Sequence, residues 1–288
     1  MPVLEMQRVS YTYSEGTPFE KAAIRNVSFA VEPGEFIGII GHTGSGKSTL
    51  IQHLNGLVRP TQGRVLLDGK DIWEKPKEIR RVRFQVGMVF QYPEHQLFED
   101  TVYKDIAFGP KNMGLPQPEI EKRVREAADW ADLRPEWLQK SPFELSGGEK
   151  RRVAIAGVIA MQPRVLILDE PTAGLDPQGR DRLLERIQTY QRDHHTTVLL
   201  VSHSMEDIAR VAQKALVMNK GQIVMFDEIA RVFSRAEELE RIGLSVPAVT
   251  RICMRLREKG LYTGENAYTV EQAAAYLLPH LKRRDGHA

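Results

Sequence analysis

Three short segments hold residue types suited to phosphoryl chemistry. Gly41-His42-Thr43-Gly44-Ser45-Gly46-Lys47-Ser48-Thr49 fits the pattern G-x-x-x-x-G-K-[ST] in full. Its glycines let the backbone turn so that successive N–H groups face phosphate oxygens, and a helix start beyond them adds a favourable dipole. In that setting Lys47 bridges the β- and γ-phosphates of a nucleotide and the Ser48 hydroxyl binds Mg²⁺. His42 occupies a variable position and reads as a backbone donor rather than a catalyst or ligand. The second segment, Val165-Leu166-Ile167-Leu168-Asp169-Glu170, ends an apolar strand in two carboxylates. Asp169 suits a Mg²⁺ ligand and Glu170 a general base for an attacking water. The third, Leu145-Ser146-Gly147-Gly148-Glu149, lies between the other two. Ser146 and Glu149 form a capping box, and a capped helix start with two open glycines is also an anion site.

These segments need elements to hold them. Phe36-Ile37-Gly38-Ile39-Ile40 has no charge, as in a strand buried on both faces of a parallel sheet, and it feeds the glycine loop. Leu50, Ile51, Leu54 and Leu57 recur at helical spacing after the loop, with Asn55-Gly56 and Pro60 as end signals. Val165–Leu168 and Val198–Val201 are two more buried-type strands. Strands alternating with helices imply an α/β domain with a mostly parallel sheet, and carboxylates at a strand end emerge where such sheets bind ligands. Residues 1–40 read as short strands and turns. Between about 92 and 160 a helical subdomain is expected, with Ile120, Val124, Ala128 and Ala131 on one helix face. Beyond about 225, short helices are expected around Ile229–Leu239, Val246–Lys259 and Thr269–Leu281.

Composition narrows the classes. The 288 residues hold 40 Lys plus Arg against 38 Asp plus Glu, so the near-neutral charge gives no reason to expect nucleic acid. The single Cys253 excludes an internal disulfide and a cysteine zinc site. No segment has the sections of a secretion signal, and runs such as Val153–Met161 fall short of the ~20 apolar residues that cross a bilayer.

Together the segments resemble the nucleotide-binding subunit of an ATP-binding cassette (ABC) transporter over about residues 3–240. The resemblance implies an α/β P-loop NTPase of the ABC ATPase type. It would have a mostly parallel core sheet, an N-terminal antiparallel β part, the inserted helical subdomain and a small C-terminal helical extension, 241–288, for dimerisation. It implies ATP and Mg²⁺ as ligands and two subunits sandwiching two ATP molecules. Gln91 matches the glutamine linking the Mg²⁺ and water site to the membrane subunit. Gly174-Leu175-Asp176 matches the loop that communicates across the dimer. His203 matches the switch histidine at the γ-phosphate, and Ser146-Gly147-Gly148 the turn that closes the partner's site. Tyr13 matches the aromatic that stacks on adenine, with Tyr11 a near competitor. Ser204 and Asp207 also form a plausible capping pair.

A narrower resemblance rests on Gly16-Thr17-Pro18-Phe19-Glu20-Lys21, on Phe90-Gln91-Tyr92-Pro93-Glu94-His95-Gln96-Leu97-Phe98, on Ala107-Phe108-Gly109-Pro110-Lys111-Asn112 and on Ser141-Pro142-Phe143-Glu144. These are similar to energy-coupling factor (ECF) transporter ATPases, the second, A-prime type in particular. That implies a second ABC ATPase as partner in a heterodimer, a transmembrane coupling protein and a substrate-binding membrane subunit for vitamins or metal ions. The chain would sit at the cytoplasmic side of the cell membrane as a peripheral protein. A conventional importer ATPase working as a homodimer is the alternative. An ABC ATPase acting on DNA or ribosomes would carry a coiled-coil insertion, a zinc hook or a second cassette, and the sequence has none of these.

Overall fold

Alternating apolar residues fold Leu4–Tyr13 (β1) and Lys21–Val31 (β2) into an antiparallel pair, in a computed structural model that describes residues 1–285. Next come Phe36–Ile40 (β3), Lys47–Leu54 (α1), Gln62–Leu67 (β4) and Lys70–Asp71 (β5). Strands β2, β1, β4 and β5 make one four-stranded sheet in that order. Ile79–Gln85 (α2) leads into Val86–Val89 (β6). Three helices fill the middle of the chain: Val102–Asn112 (α3), Gln117–Trp130 (α4) and Gly147–Ile159 (α5). Alternation resumes with Val165–Asp169 (β7), Pro177–His194 (α6), Thr197–Val201 (β8) and Met205–Val211 (α7). The antiparallel ribbon Lys214–Asn219 (β9) and Gln222–Glu228 (β10) follows. Four short helices end the described chain: Ile229–Ser234 (α8), Ala236–Arg241 (α9), Ala248–Glu258 (α10) and Val270–Asp285 (α11).

The second sheet runs β10-β9-β3-β8-β7-β6, and only β10 is antiparallel to its neighbour. β8, late in sequence, lies between β3 and β7. Val201 pairs with Ile39 on one side and Asp169 on the other, so three strand ends finish at one level. Every residue of β3, β6, β7 and β8 is buried, and apart from Asp169 at the end of β7 none of them carries a charge. Successive side chains divide between two cores. Phe36, Ile40, Leu166, Leu168, Val198 and Leu200 face the helical layer. Ile37, Ile39, Val165, Ile167, Leu199 and Val201 face the four-stranded sheet and α1. Each fully buried Val, Leu or Ile contributes about 1.5–3 kcal/mol, so these two faces dominate stability.

Helices α3, α4 and α5 make one block between residues 102 and 159. Ile120 and Val124 of α4 are buried with Ala127 and Ala128, and Ala131 is buried just past the helix end. α5 buries Val153, Ile155, Ala156 and Ile159, which spread around its axis, because it packs against both α3 and α4. Two expectations are corrected. Leu57 lies beyond α1, which stops at the Asn55-Gly56 turn, and is exposed. Ile229–Leu239 is two helices, broken at Arg235, because Phe233 and Leu239 must both reach the helical-side core. The C-terminal helices build a small cluster of their own from Cys253, Tyr262, Ala267 and Ala273. The last residues assigned to the extension, 286–288, lie outside the described residues.

Gly38 sits mid-strand in β3 where α7 crosses the sheet, and a Cβ there would lie 2.5 Å from Ile208 Cγ2. Gly38→Ala therefore forces Ile208 to move and is expected to destabilise the chain by about 1–3 kcal/mol in urea melts. An unchanged midpoint would show that Ile208 yields without cost.

Candidate nucleotide site

The glycine loop connects the C-terminal end of β3 to α1, the context its pattern demands. Gly46 has φ 105°, and a Cβ there would meet the Ala23 carbonyl at 2.7 Å, so no other residue fits. Lys47 is buried, and its Nζ donates to the carbonyls of Gly41 at 2.6 Å and His42 at 3.2 Å. Burial pulls its pKa down, opposed by the charges of Glu170 and Asp169. His42 is held by the Thr43 carbonyl (2.8 Å) and Asn219 Oδ1 (3.0 Å), away from any catalytic contact.

Asp169 and Glu170 emerge at the end of β7, both buried. Glu170 N–H donates to the Val201 carbonyl (3.0 Å), extending the parallel ladder one residue, and the residue adopts φ 51°. Burial raises the Asp169 pKa, while Lys47 and a hydrogen bond from Ser48 lower it. Burial pushes the Glu170 carboxyl up to about 7, helped by Asp169 and opposed by the His203 N–H and Lys47. His203 follows β8; its backbone N–H donates to Glu170 Oε2 (3.4 Å), and its Nε2 lies 3.2 Å from Oε1 without hydrogen-bond alignment. Partial burial and the Lys47 charge lower the histidine pKa. Desolvation thus works against the charged form of both side chains where they meet.

A cleft of about 320 Å³ brings together Lys47, Ser48, Gln91, Asp169, Glu170 and His203. Thr43, Gly44, Gly46 and Thr49 also line it, and Tyr13 stands at its edge with its hydroxyl 3.1 Å from Thr49 Oγ1. Tyr13 is 39 % exposed, whereas Tyr11 is partly buried, edge-on between Tyr13 (4.9 Å) and His53 (5.0 Å). Of the two tyrosines, the cleft reaches only Tyr13. The Ser48 hydroxyl, Gln91 amide and Asp169 carboxylate supply hard oxygen donors, which fit Mg²⁺. The loop N–H groups and Lys47 fit a polyphosphate.

Other expected residues lie elsewhere. Ser146 caps α5 in a reciprocated box: Glu149 N–H donates to Ser146 Oγ (3.4 Å), and Ser146 N–H to Glu149 Oε2 (2.8 Å). Nothing stands within 4 Å of a Cβ built on Gly147 or Gly148, so the turn presents open backbone. Gly148 and Asp176 border a separate cleft between α5 and α6, and Asp176 caps α6 through Gly179 N–H (2.8 Å). Ser204 caps α7 through Asp207 N–H (3.1 Å), but the reciprocal bond is missing. Asp207 instead accepts from Arg180 Nε (2.6 Å) and Thr172 (3.4 Å). Arg180 and Asp207 stand 27 residues apart, and no spacing rule signals their contact.

The ABC transporter family model matches residues 24–173, and a shorter one, described as AAA domain, putative AbiEii toxin, Type IV TA system, matches 140–207. A protein of Caldanaerobacter subterraneus subsp. tengcongensis, named energy-coupling factor transporter ATP-binding protein EcfA2, is 51 % identical over 282 residues, 98 % of each chain. Its namesake from Clostridium perfringens is 50 % identical over 98 % of this chain and 99 % of its own. Among solved structures, cbiO1 from Clostridium perfringens, part of the ABC transporter complex cbiONQ, superposes with TM-score 0.74 at 37 % identity. It covers 89 % of this chain and 99 % of its own. The ATP-binding cassette MJ0796, dimeric and bound to ADP and Pi, superposes with TM-score 0.71 at 26 % identity, over 78 % of this chain and 98 % of that one.

The raised Glu170 pKa has a consequence for stability. Between 4.5, its ordinary value, and about 7 the folded chain holds a proton that the unfolded chain releases. Stability contributed by this group therefore falls as pH rises through that window. Glu170→Gln removes the titration. Without nucleotide, its Tm should match the parent near about pH 4 and exceed it above about pH 7. A Tm difference that stays flat across that range would disprove the shift.

Proposed function

The chain belongs to the ABC transporter family as an ATP-binding, ATP-hydrolysing protein of the energy-coupling factor type, and we propose how its residues divide the work of transport between two subunits. One observation carries the reading. The cleft gathers Lys47, Ser48, Asp169, Glu170 and His203, while the Ser146-Gly147-Gly148 turn lies outside it with its backbone open. Each chain thus holds most of one ATP site and the lid of another, and two must face each other to complete either.

Within the cleft, Lys47 exchanges the Gly41 and His42 carbonyls for β- and γ-phosphate oxygens, and the loop N–H groups take the remaining ones. Ser48, Asp169 and Gln91 would hold Mg²⁺, which would supply positive charge against the phosphates. Tyr13 stacks on the adenine. Glu170 accepts the proton of the attacking water at its carboxylate, and a value near 7 suits a base working at neutral pH. His203, kept neutral, donates to the γ-phosphate without adding a competing charge to Lys47. The partner's Ser-Gly-Gly turn excludes water and adds donors on the open side, and Gly174-Leu175-Asp176 reports across the dimer. Phosphoryl transfer depends mainly on such positioning and charge stabilisation.

Outside the cleft, exposed Phe98 and Phe108 line a groove between residues 96–112, α2 and α5. A transmembrane coupling protein seats there, with Gln91 linking groove and cleft. Residues 1–240 form the ATPase domain, and 241–288 extend it for dimerisation, with Ile252, Leu261 and Val270 exposed for that contact. The partner is a second, related ATPase. A separate substrate-binding membrane subunit selects the vitamin or metal ion, and the chain works at the cytoplasmic face as a peripheral protein. No helix among the described residues is long and apolar enough to cross a membrane.

Glu170→Gln should bind ATP normally, accumulate as a closed ATP-loaded dimer and lose hydrolysis by roughly 100-fold or more. Near-normal turnover in the assembled complex would remove Glu170 as the base. In mixed dimers with one functional phosphate loop, Ser146→Ala should impair only the site built on the partner's loop; a defect confined to its own loop contradicts the sandwich. Tagged chain recovered from membranes should bring a second ATPase and a multi-spanning protein. A lone homodimer in that experiment argues against the ECF reading.

A further inference from the structure

Arg151 is the most buried arginine of the helical block, with its side chain 6 % exposed, and it lines no part of the nucleotide cleft. Its guanidinium is shared between two distant segments. On one side it grips Glu94 in a two-point fork, Nε to Oε2 at 3.1 Å and Nη2 to Oε1 at 2.8 Å. On the other side Nη1 donates to the carbonyls of Pro171 (3.3 Å) and Ala173. Glu94 belongs to the short turn Pro93–Gln96, three residues from Gln91, and Gln96 of the same turn lines the groove. Pro171 to Ala173 follow Glu170 directly, and Ala173 N–H closes a turn onto the Glu170 carbonyl at 3.1 Å. Arg151 itself stands five residues past Ser146, on the second turn of α5.

Burying an ion pair adds little net stability, since desolvation offsets the attraction, so its value lies in holding one geometry. The geometry here is unusual. Glu170 has φ 51°, a conformation that a residue of its size keeps only where its surroundings over-determine it. The carbonyls on which Arg151 pulls begin with the next residue. A planar guanidinium with five fixed donors can hold a carboxylate and two carbonyls at once, which a lysine cannot.

We infer that Arg151 is a positioning residue that joins the groove-side turn, the helix bearing the Ser146 turn and the backbone beyond Glu170 into one unit. A shift of Glu94, imposed by whatever seats in the groove, is then delivered to the Glu170 carboxylate. The inference rests on the reading of Glu170 as base, and the closing experiment separates the two.

The complex is recovered from membranes through a tag on this chain, and kcat, KM and bound ATP per complex are measured with MgATP. Arg151→Met should lower kcat roughly tenfold or more, as a misplacement of about 1 Å does, with KM and bound ATP unchanged. Glu94→Gln should cost about threefold in kcat alone. The double variant should equal Arg151→Met within about twofold, because both changes break one linkage. Arg151→Lys should recover part of the loss, and it carries the same comparison with Glu94→Gln if Arg151→Met does not assemble. A residue that merely stabilised the fold would reduce assembled complex while leaving turnover per bound ATP intact, and that result overturns the inference. So does a double variant whose loss is the product of the single losses. Glu170→Gln is run alongside. If it hydrolyses normally, the base assignment has failed; if it is inactive while Arg151→Met turns over normally, only the role of Arg151 falls.

Discussion

Everything at the cleft depends on β8 pairing between β3 and β7. Val201 lies in register with Ile39 and Asp169 at once, its carbonyl takes the Glu170 N–H, and Ser202 N–H reaches the Ile39 carbonyl at 3.3 Å. Those bonds bring the glycine loop, two carboxylates and His203 from positions more than 150 residues apart to one sheet edge. Parallel strands cannot be joined by tight turns, so each must be followed by a long crossover. The crossovers supply the helices that cover the sheet, and their starts all point to the same edge. A one-residue slip of β8 would turn Val201 to the wrong core and carry His203 away from Glu170.

Burial then sets the chemistry of that edge. Lys47, Asp169 and Glu170 lie mostly out of water, and desolvation is the largest influence on each, drawing all three toward their neutral forms. The ammonium opposes this for both acids, and the acids oppose it for the ammonium. Such a site is poised for a polyphosphate with a divalent cation, which bring both signs of charge. Lys47 meanwhile donates to the loop's own Gly41 and His42 carbonyls, which ties its ammonium to the loop.

Much of this was readable from the chain. Gly41–Ser48, the uncharged runs at β3, β7 and β8, and the Ser146–Glu149 box act through neighbours in sequence, and the structure places each as expected. The buried face of α4 was equally legible, since Ile120 and Val124 follow a local periodicity. The misses share a cause. Leu57 has helical spacing, yet the Asn55-Gly56 turn ends α1 before it. Arg235 breaks an apparently continuous helix because two buried residues need different directions. Asp207 looks like half of a capping box, but Arg180 from another helix takes its carboxylate.

The choice between Tyr11 and Tyr13 shows the division most clearly. Both alternate in one strand with ring and hydroxyl, and no local rule separates them; the packing of His53 against Tyr11 leaves Tyr13 at the cleft. The sequence by itself determined which groups the chain owns and their local backbone, because phosphate loops, caps and buried strands obey short-range geometry. Tertiary structure alone decided which groups meet, how dry they are, and that Arg151 spans from Glu94 to the carbonyls beyond Glu170. Those outcomes depend on the order of strands in a sheet and on desolvation by distant residues, and neither is a property of any stretch of chain taken alone.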